Sequence, residues 1–146
     1  MSDAMALVTV DAGTGAAGAA LRGLAAAFRT AGRPVVHVVD TTLAAGGVPP
    51  SLAVLDRELL EGGGVQTLGP AEMAIGLRGR NAFDATPLDA LLRGLGVDTV
   101  IVGGHLGALP SPGVSASVIA AELRGYRVLL ATDELAVTLG AYLSAA

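Results

Sequence analysis

The chain has 146 residues, of which 52% are hydrophobic and 15% charged, and it carries a net charge of −4 at neutral pH. That length suits one domain spanning 1–146, with enough apolar material for a core on both faces of a sheet. The nine basic residues are scattered along it, which excludes an electrostatic footprint for nucleic acid, so a small-molecule ligand or a protein partner is expected instead.

Mean hydropathy is high, at +0.63, yet no apolar run approaches the roughly 20 residues a membrane-spanning helix needs, so no membrane partner is expected. Met1-Ser2-Asp3-Ala4-Met5 carries no basic leader region and runs straight into a strand pattern, which predicts a cytoplasmic protein without a secretory signal. Cysteine is absent, so disulfides, thiolate zinc sites and thiol catalysis are all excluded. Aromatic residues make up only 3%, leaving alanine, valine and leucine to fill the core.

In chain order, Ala6 to Val10 reads as a short buried strand ended by Asp11-Ala12-Gly13. Ala17, Leu21, Leu24 and Phe28 recur at helical spacing within Thr14 to Thr30, and Gly32-Arg33-Pro34 stops that helix. Pro34 to Val39 is a second strand, closing on Asp40. Strand, helix and strand in this order make a βαβ unit and hence a parallel sheet. Thr41 to Pro70 is irregular, rich in glycine and proline, with a short helix expected from Ser51, as its cap, to Leu60.

Met73 to Leu77 is a weaker strand candidate because Gly76 interrupts it. Thr86-Pro87 then opens a helix, with threonine as N-cap, proline in the first helical position and Asp89 in the first turn. Leu88, Leu91, Leu92 and Leu95 form its core stripe, and Gly94 and Gly96 end it. Thr99 to Val102 is the clearest strand. A helix from about Gly113 to Arg124, a strand from Tyr126 to Ala131 and a helix from Glu134 to Leu143 complete an alternating pattern, which predicts a three-layer α/β/α sandwich.

Asn81-Ala82-Phe83, Thr86-Pro87-Leu88 and Gly96-Val97-Asp98-Thr99-Val100-Ile101-Val102-Gly103-Gly104 resemble the middle of an isochorismatase-like (cysteine hydrolase) domain. Gly125-Tyr126-Arg127-Val128, Thr132-Asp133, Asp11 and Pro34-Val35-Val36-His37-Val38 continue the resemblance over nearly the whole chain. It implies a parallel sheet in the order 3-2-1-4-5-6 and an Asp, Lys, Cys triad. Asp11 stands at the aspartate's place. Leu77 falls where the lysine belongs, with Arg78 beside it, and Gly113 falls where the cysteine belongs. Acyl-enzyme chemistry is therefore excluded. The resemblance also implies a precedent for glycine there: isochorismatases proper lack the cysteine and protonate a vinyl ether with the aspartate, though they keep the lysine.

Two more departures stand out. The family's long, glutamine-bearing loop after the aspartate is replaced by Gly13-Thr14-Gly15, and the chain ends where the family would supply a sixth strand. The expected fold is thus a truncated one with five parallel strands in the order 3-2-1-4-5. Its last strand is an open edge, which with the high apolar content favours a homo-oligomer, a dimer or larger.

Asp11 is read as a general acid or base at the carboxyl end of strand 1, or equally as a cap for the following helix. His105, among glycines after the fourth strand, is read as a second proton carrier, or as an ordinary hydrogen-bonding loop residue. Gly104, Ser111 and Gly113 are expected to line a substrate site, with backbone amides at the helix start as an anion cradle or simply a stiff proline turn. Arg78 and Arg80 offer positive charge near the lysine's place, or plain surface charge. His37 and Asp40 stand where metal-dependent nicotinamidases bind zinc, but the further histidines are missing, so neither metal nor cofactor is expected.

Gly13-Thr14-Gly15-Ala16-Ala17-Gly18, following a strand and with Asp40 ending the next one, is a complete dinucleotide-binding fingerprint. Three functions are thus in play. The first is a divergent biosynthetic enzyme, a hydrolase or lyase using Asp11 for non-covalent proton transfer. The others are a non-catalytic, oligomerising or ligand-holding relative, and a Rossmann-like nucleotide-binding module.

Overall fold

The computed structural model describes residues 4–10, 17–39, 56–77, 79, 81–104 and 112–145. Its elements in chain order are β1 (Met5–Val10), α1 (Ala17–Thr30), β2 (Val35–Val39), α2 (Arg57–Glu61), β3 (Val65–Thr67), β4 (Glu72–Gly76), α3 (Leu88–Gly94), β5 (Thr99–Gly104), α4 (Pro112–Leu123), β6 (Arg127–Leu130) and α5 (Asp133–Ala145).

They build one sheet in the order β3-β4-β2-β1-β5-β6. The five strands β4, β2, β1, β5 and β6 are parallel and stand in the expected order. The expectation of five strands needs one correction. Val65-Gln66-Thr67, placed in the irregular stretch, adds a sixth strand antiparallel to β4. The hairpin closes through Leu68 N–H and Gly69 N–H, which donate to the Glu72 carbonyl at 2.8 and 3.1 Å. Three residues are too few to show a strand period; pairing with β4 creates β3.

Parallel strands with helices on both faces must be apolar on both sides. Ala6, Val8 and Val10 of β1 point into the layer that also holds Val36, Val38, Ile75, Val100, Val102, Leu88, Leu92 and Ala121, beneath α3 and α4. Leu7, Val35 and Ile101 point the other way, against Leu24 and Phe28 of α1 and Leu143 of α5. The three-layer expectation is met.

Local chemistry sets the helix ends. Gly96 and Gly125 take φ +74° and +91°, and the following amides reach back to close the helices: Val97 N–H to Leu92 at 2.9 Å and Tyr126 N–H to Ala121 at 3.2 Å. These left-handed caps turn the chain into β5 and β6. The helix expected from Ser51 to Leu60 is instead short, because Asp56 caps it by accepting the Leu59 N–H at 3.2 Å; residues 51–55 lie outside the described ones. In α3, Leu88 and Leu92 are buried, whereas Leu95, assigned to the core stripe, is 48% exposed beyond the helix end.

Gly76, which weakened the strand signal, is required by packing. A Cβ there would stand 2.5 Å from the Leu60 carbonyl oxygen, where the end of α2 crosses β4.

Candidate functional site

In an open parallel sheet, ligands bind beyond the carboxyl ends of the strands where the strand order reverses. Here that point lies between β1 and β5. Their register pairs Val10 with Gly104, so both strands end level. β4 ends beside β2, and Leu77 N–H donates to the Val39 carbonyl at 2.8 Å. Leu77 follows β4 directly and packs partly buried against the core layer under α3 and α4.

The segment before α3 is tied down from within. Asn81 Oδ1 accepts the amides of Phe83 and Asp84 at 2.8 and 2.9 Å, an Asx turn that fixes the loop. Ala82 N–H donates to the buried hydroxyl of Ser117 at 2.9 Å, joining this loop to the middle of α4. Thr86 Oγ1 accepts the Leu88 N–H at 3.3 Å while its hydroxyl donates to the Ala82 carbonyl. The helix starts one residue later than expected, with Pro87 rather than Thr86 in the N-cap position, while the threonine hydroxyl still takes up the first helical amide. Asp84 leans so closely over Gly79 that a Cβ there would collide with its carboxylate.

Of the residues singled out in the sequence, Gly104 is the last residue of β5 and Gly113 the second of α4. Asp11, Arg78, Arg80, His105 and Ser111 lie outside the described residues, as do Asp40 and the glycines Gly13 and Gly15 of the dinucleotide motif. Gly18 of that motif is in the first turn of α1.

The sequence reading missed a polar ladder under α1. Thr9, His37 and Glu72 sit on the neighbouring strands β1, β2 and β4. The Thr9 hydroxyl is 2.8 Å from His37 Nδ1, and His37 Nε2 is 2.6 Å from Glu72 Oε2. Arg29 of α1 completes the ladder with two bonds to the Glu72 carboxylate, at 2.7 and 2.8 Å. The guanidinium is the main force holding the Glu72 carboxyl down to about 2, burial opposes it, and His37 adds to the lowering. Both ring nitrogens of His37 are taken by protein partners, which gives the histidine a structural role here. A buried polar residue in the apolar run Val35 to Val39 needs such partners, and that was the available signal.

A cleft of about 290 Å³ lined by Arg29, Val35, Pro70 and Glu72 opens at the amino ends of β2 and β4. It is therefore at the opposite end of the sheet from Gly104 and Leu77.

The sequence profile of the Isochorismatase domain matches residues 6–138. The chain belongs to the isochorismatase family. An isochorismatase family protein from Burkholderia thailandensis is 26% identical and superposes with a TM-score of 0.62 over 91% of this chain and 79% of its own. An isochorismatase from Pseudomonas putida is 27% identical, with a TM-score of 0.58 over 89% of this chain and 69% of its own. N-carbamoylsarcosine amidase from Thermoplasma acidophilum, 24% identical, shares the fold with a TM-score of 0.63 over 88% and 82%. A search of curated proteins returns no match.

Within this family fold, cysteine is absent from the whole chain, so the thiol nucleophile is missing. Among the described residues, no helix is long and apolar enough to cross a membrane.

Proposed function

We propose that this isochorismatase-family chain is a cytoplasmic biosynthetic enzyme acting on a small molecule without a covalent intermediate. Asp11 is its proton donor and His105 its second proton carrier. The observation that carries this reading is the pairing of Val10 with Gly104, since Asp11 and His105 are the next residues in sequence after these two level strand ends.

A vinyl ether is the fitting substrate class. A carboxylic acid donates a proton to the terminal carbon of the double bond, leaving an oxocarbenium ion. Water adds to that cation and loses a proton, and the resulting hemiketal collapses to a carbonyl compound and an alcohol. No step of this reaction needs a thiol, so glycine at position 113 is compatible with it. Gly104, Ser111, Arg78 and Arg80 are assigned to ligand binding in the same reading. The name of the Pseudomonas putida relative, an isochorismatase, supports the same choice.

Leu77 favours a second reading. With an apolar, partly buried side chain at the lysine's place, the fold serves as a ligand-holding subunit without turnover.

The test is a panel of enol-ether carboxylates, isochorismate included, with released keto acid as readout. Asp11→Asn is expected to lower turnover by about 10²–10⁴-fold, the usual worth of a positioned general acid. Undiminished turnover in that variant sinks the mechanism. Saturable binding of the same compounds with no product selects the second reading.

A further inference from the structure

The segment between β4 and α3 is held more firmly than a connection needs to be. Both backbone groups of Ala82 are taken by side-chain hydroxyls: Ser117 accepts its N–H at 2.9 Å, and Thr86 donates to its carbonyl. Asn81 Oδ1 accepts the next two amides, those of Phe83 and Asp84. Ala82 and Ser117 are wholly buried.

These ties work against strain. Among the described residues Ala85 is the one non-glycine with a positive φ, at +57°. A Cβ disfavours that left-handed region, and Ala85 is exposed, so its own side chain does not pack the backbone into it. Strain of this kind lasts only where the surroundings over-determine it, and it gathers at ligand sites. Here the bonds made by Asn81, Ala82 and Thr86 on either side of Ala85 and around it supply that constraint.

Ser117 brings the constraint from another element. Its bond to Ala82 spans 35 residues of sequence. Gly113 precedes Ser117 by four residues, one turn nearer the start of α4 and on the same side of it. The bond therefore sets how far the segment after β4 stands from the first turn of α4.

We infer that Ser117 is a positioning residue of the crevice at the carboxyl ends of the strands: through Ala82 it fixes one wall against the other, holding Ala85 in its strained conformation. The inference rests on the reading of that crevice as the reaction site. Release of the hydroxyl lets Ala85 relax, and the wall moves with it.

The test compares Ser117→Thr, which keeps the hydroxyl, with Ser117→Val, which has the same shape without it. On enol-ether carboxylates, isochorismate included, Ser117→Val is expected to lower kcat about 10–10²-fold, the effect of a misplacement of about 1 Å. KM and far-ultraviolet dichroism should change little, and Ser117→Thr should keep the wild-type rate. Adding Ala85→Gly to Ser117→Val is expected to restore most of the loss, since glycine adopts this φ without strain. Equal turnover per folded molecule in the threonine and valine variants overturns the inference.

A second measurement needs no substrate. Hydrogen exchange at Phe83 and Asp84, whose amides are bonded to Asn81, is expected to quicken about tenfold in Ser117→Val and to return toward wild type with Ala85→Gly. Quickening confined to Ala82 overturns the inference whatever the substrates show. A wild type that turns over none of them sinks the proposed reaction alone, and exchange then decides on Ser117.

Discussion

His37 and Glu72 meet at 2.6 Å although 35 residues separate them, and their contact ties the middle of β2 to the first residue of β4. With Thr9 on one side and Arg29 on the other, it replaces apolar packing under α1 by a satisfied polar chain. Such a chain is costly to break at one link, because the remaining groups stay buried without partners.

Glu72→Gln keeps the shape but removes the charge that Arg29 and His37 hold. The expected loss of stability at neutral pH is about 1–3 kcal/mol, kept modest because Arg29 is half exposed and screened by solvent. The pH dependence follows from the sign of the shift. The folded carboxyl lies at about 2, below its ordinary value of 4.5. Its contribution is therefore full above that ordinary value and disappears as pH falls toward 2. Urea unfolding of both proteins between pH 6 and about 2.5 checks this: the two curves should converge in acid, and a constant gap contradicts the assignment.

Gly76→Ala tests the crossing of α2 over β4. The added methyl group would press on the Leu60 carbonyl, a backbone atom that cannot rotate away. Overpacking of this kind costs about 1–3 kcal/mol, where an unhindered glycine-to-alanine change in a strand would stabilise. A melting temperature that rises in the variant would show that α2 moves aside freely.

Much of this architecture is legible in the sequence, and the reasons differ by element. β1, β2 and β5 are runs of β-branched residues bounded by turn residues, and α3 is announced by Thr86-Pro87 at its start and Gly96 past its end. All of these are signals within a few residues. β3 carries no such signal, because its existence depends on β4. The start of α2 was misplaced because Ser51 and Asp56 are both acceptable caps, and only the bond from Leu59 N–H selects Asp56. Glu72 was overlooked as the partner of His37 because the link joins residues far apart in the chain. The site itself is less legible: Leu77 directly follows β4 and Gly113 is the second residue of α4, while Asp11, Arg78, Arg80, His105 and Ser111 lie outside the described residues.

Ser117 joins the site's two flanks. Its buried hydroxyl accepts the Ala82 N–H, so Ser117→Ala leaves an amide in the interior without that acceptor. The expected cost is about 1–3 kcal/mol, accompanied by faster hydrogen exchange at Ala82 than at Val100 in the adjacent sheet. Equal slowing or no change at Ala82 would mean that the amide finds another partner.

Tyr126 and Asp89 give the last prediction, on the alkaline side. The phenol donates to Asp89 Oδ1 at 2.7 Å and sits beneath Arg93, whose guanidinium is 5.3 Å from the ring centroid. Burial, then the bond to Asp89, pushes the phenol up to about 12 from an ordinary value of 10. The folded state thus holds this proton more tightly than the unfolded chain. The resulting stability is complete below pH 10 and is lost as pH rises toward 12. Asp89 responds in the opposite sense, its carboxyl being lowered chiefly by the Tyr126 hydroxyl. Tyr126→Phe should therefore flatten the fall in stability between pH 10 and 12 and move the Asp89 carboxyl back up, both readable by thermal melts and by carbon-detected titration of Asp89. An unmoved Asp89 titration in that variant would place the hydrogen bond elsewhere in solution.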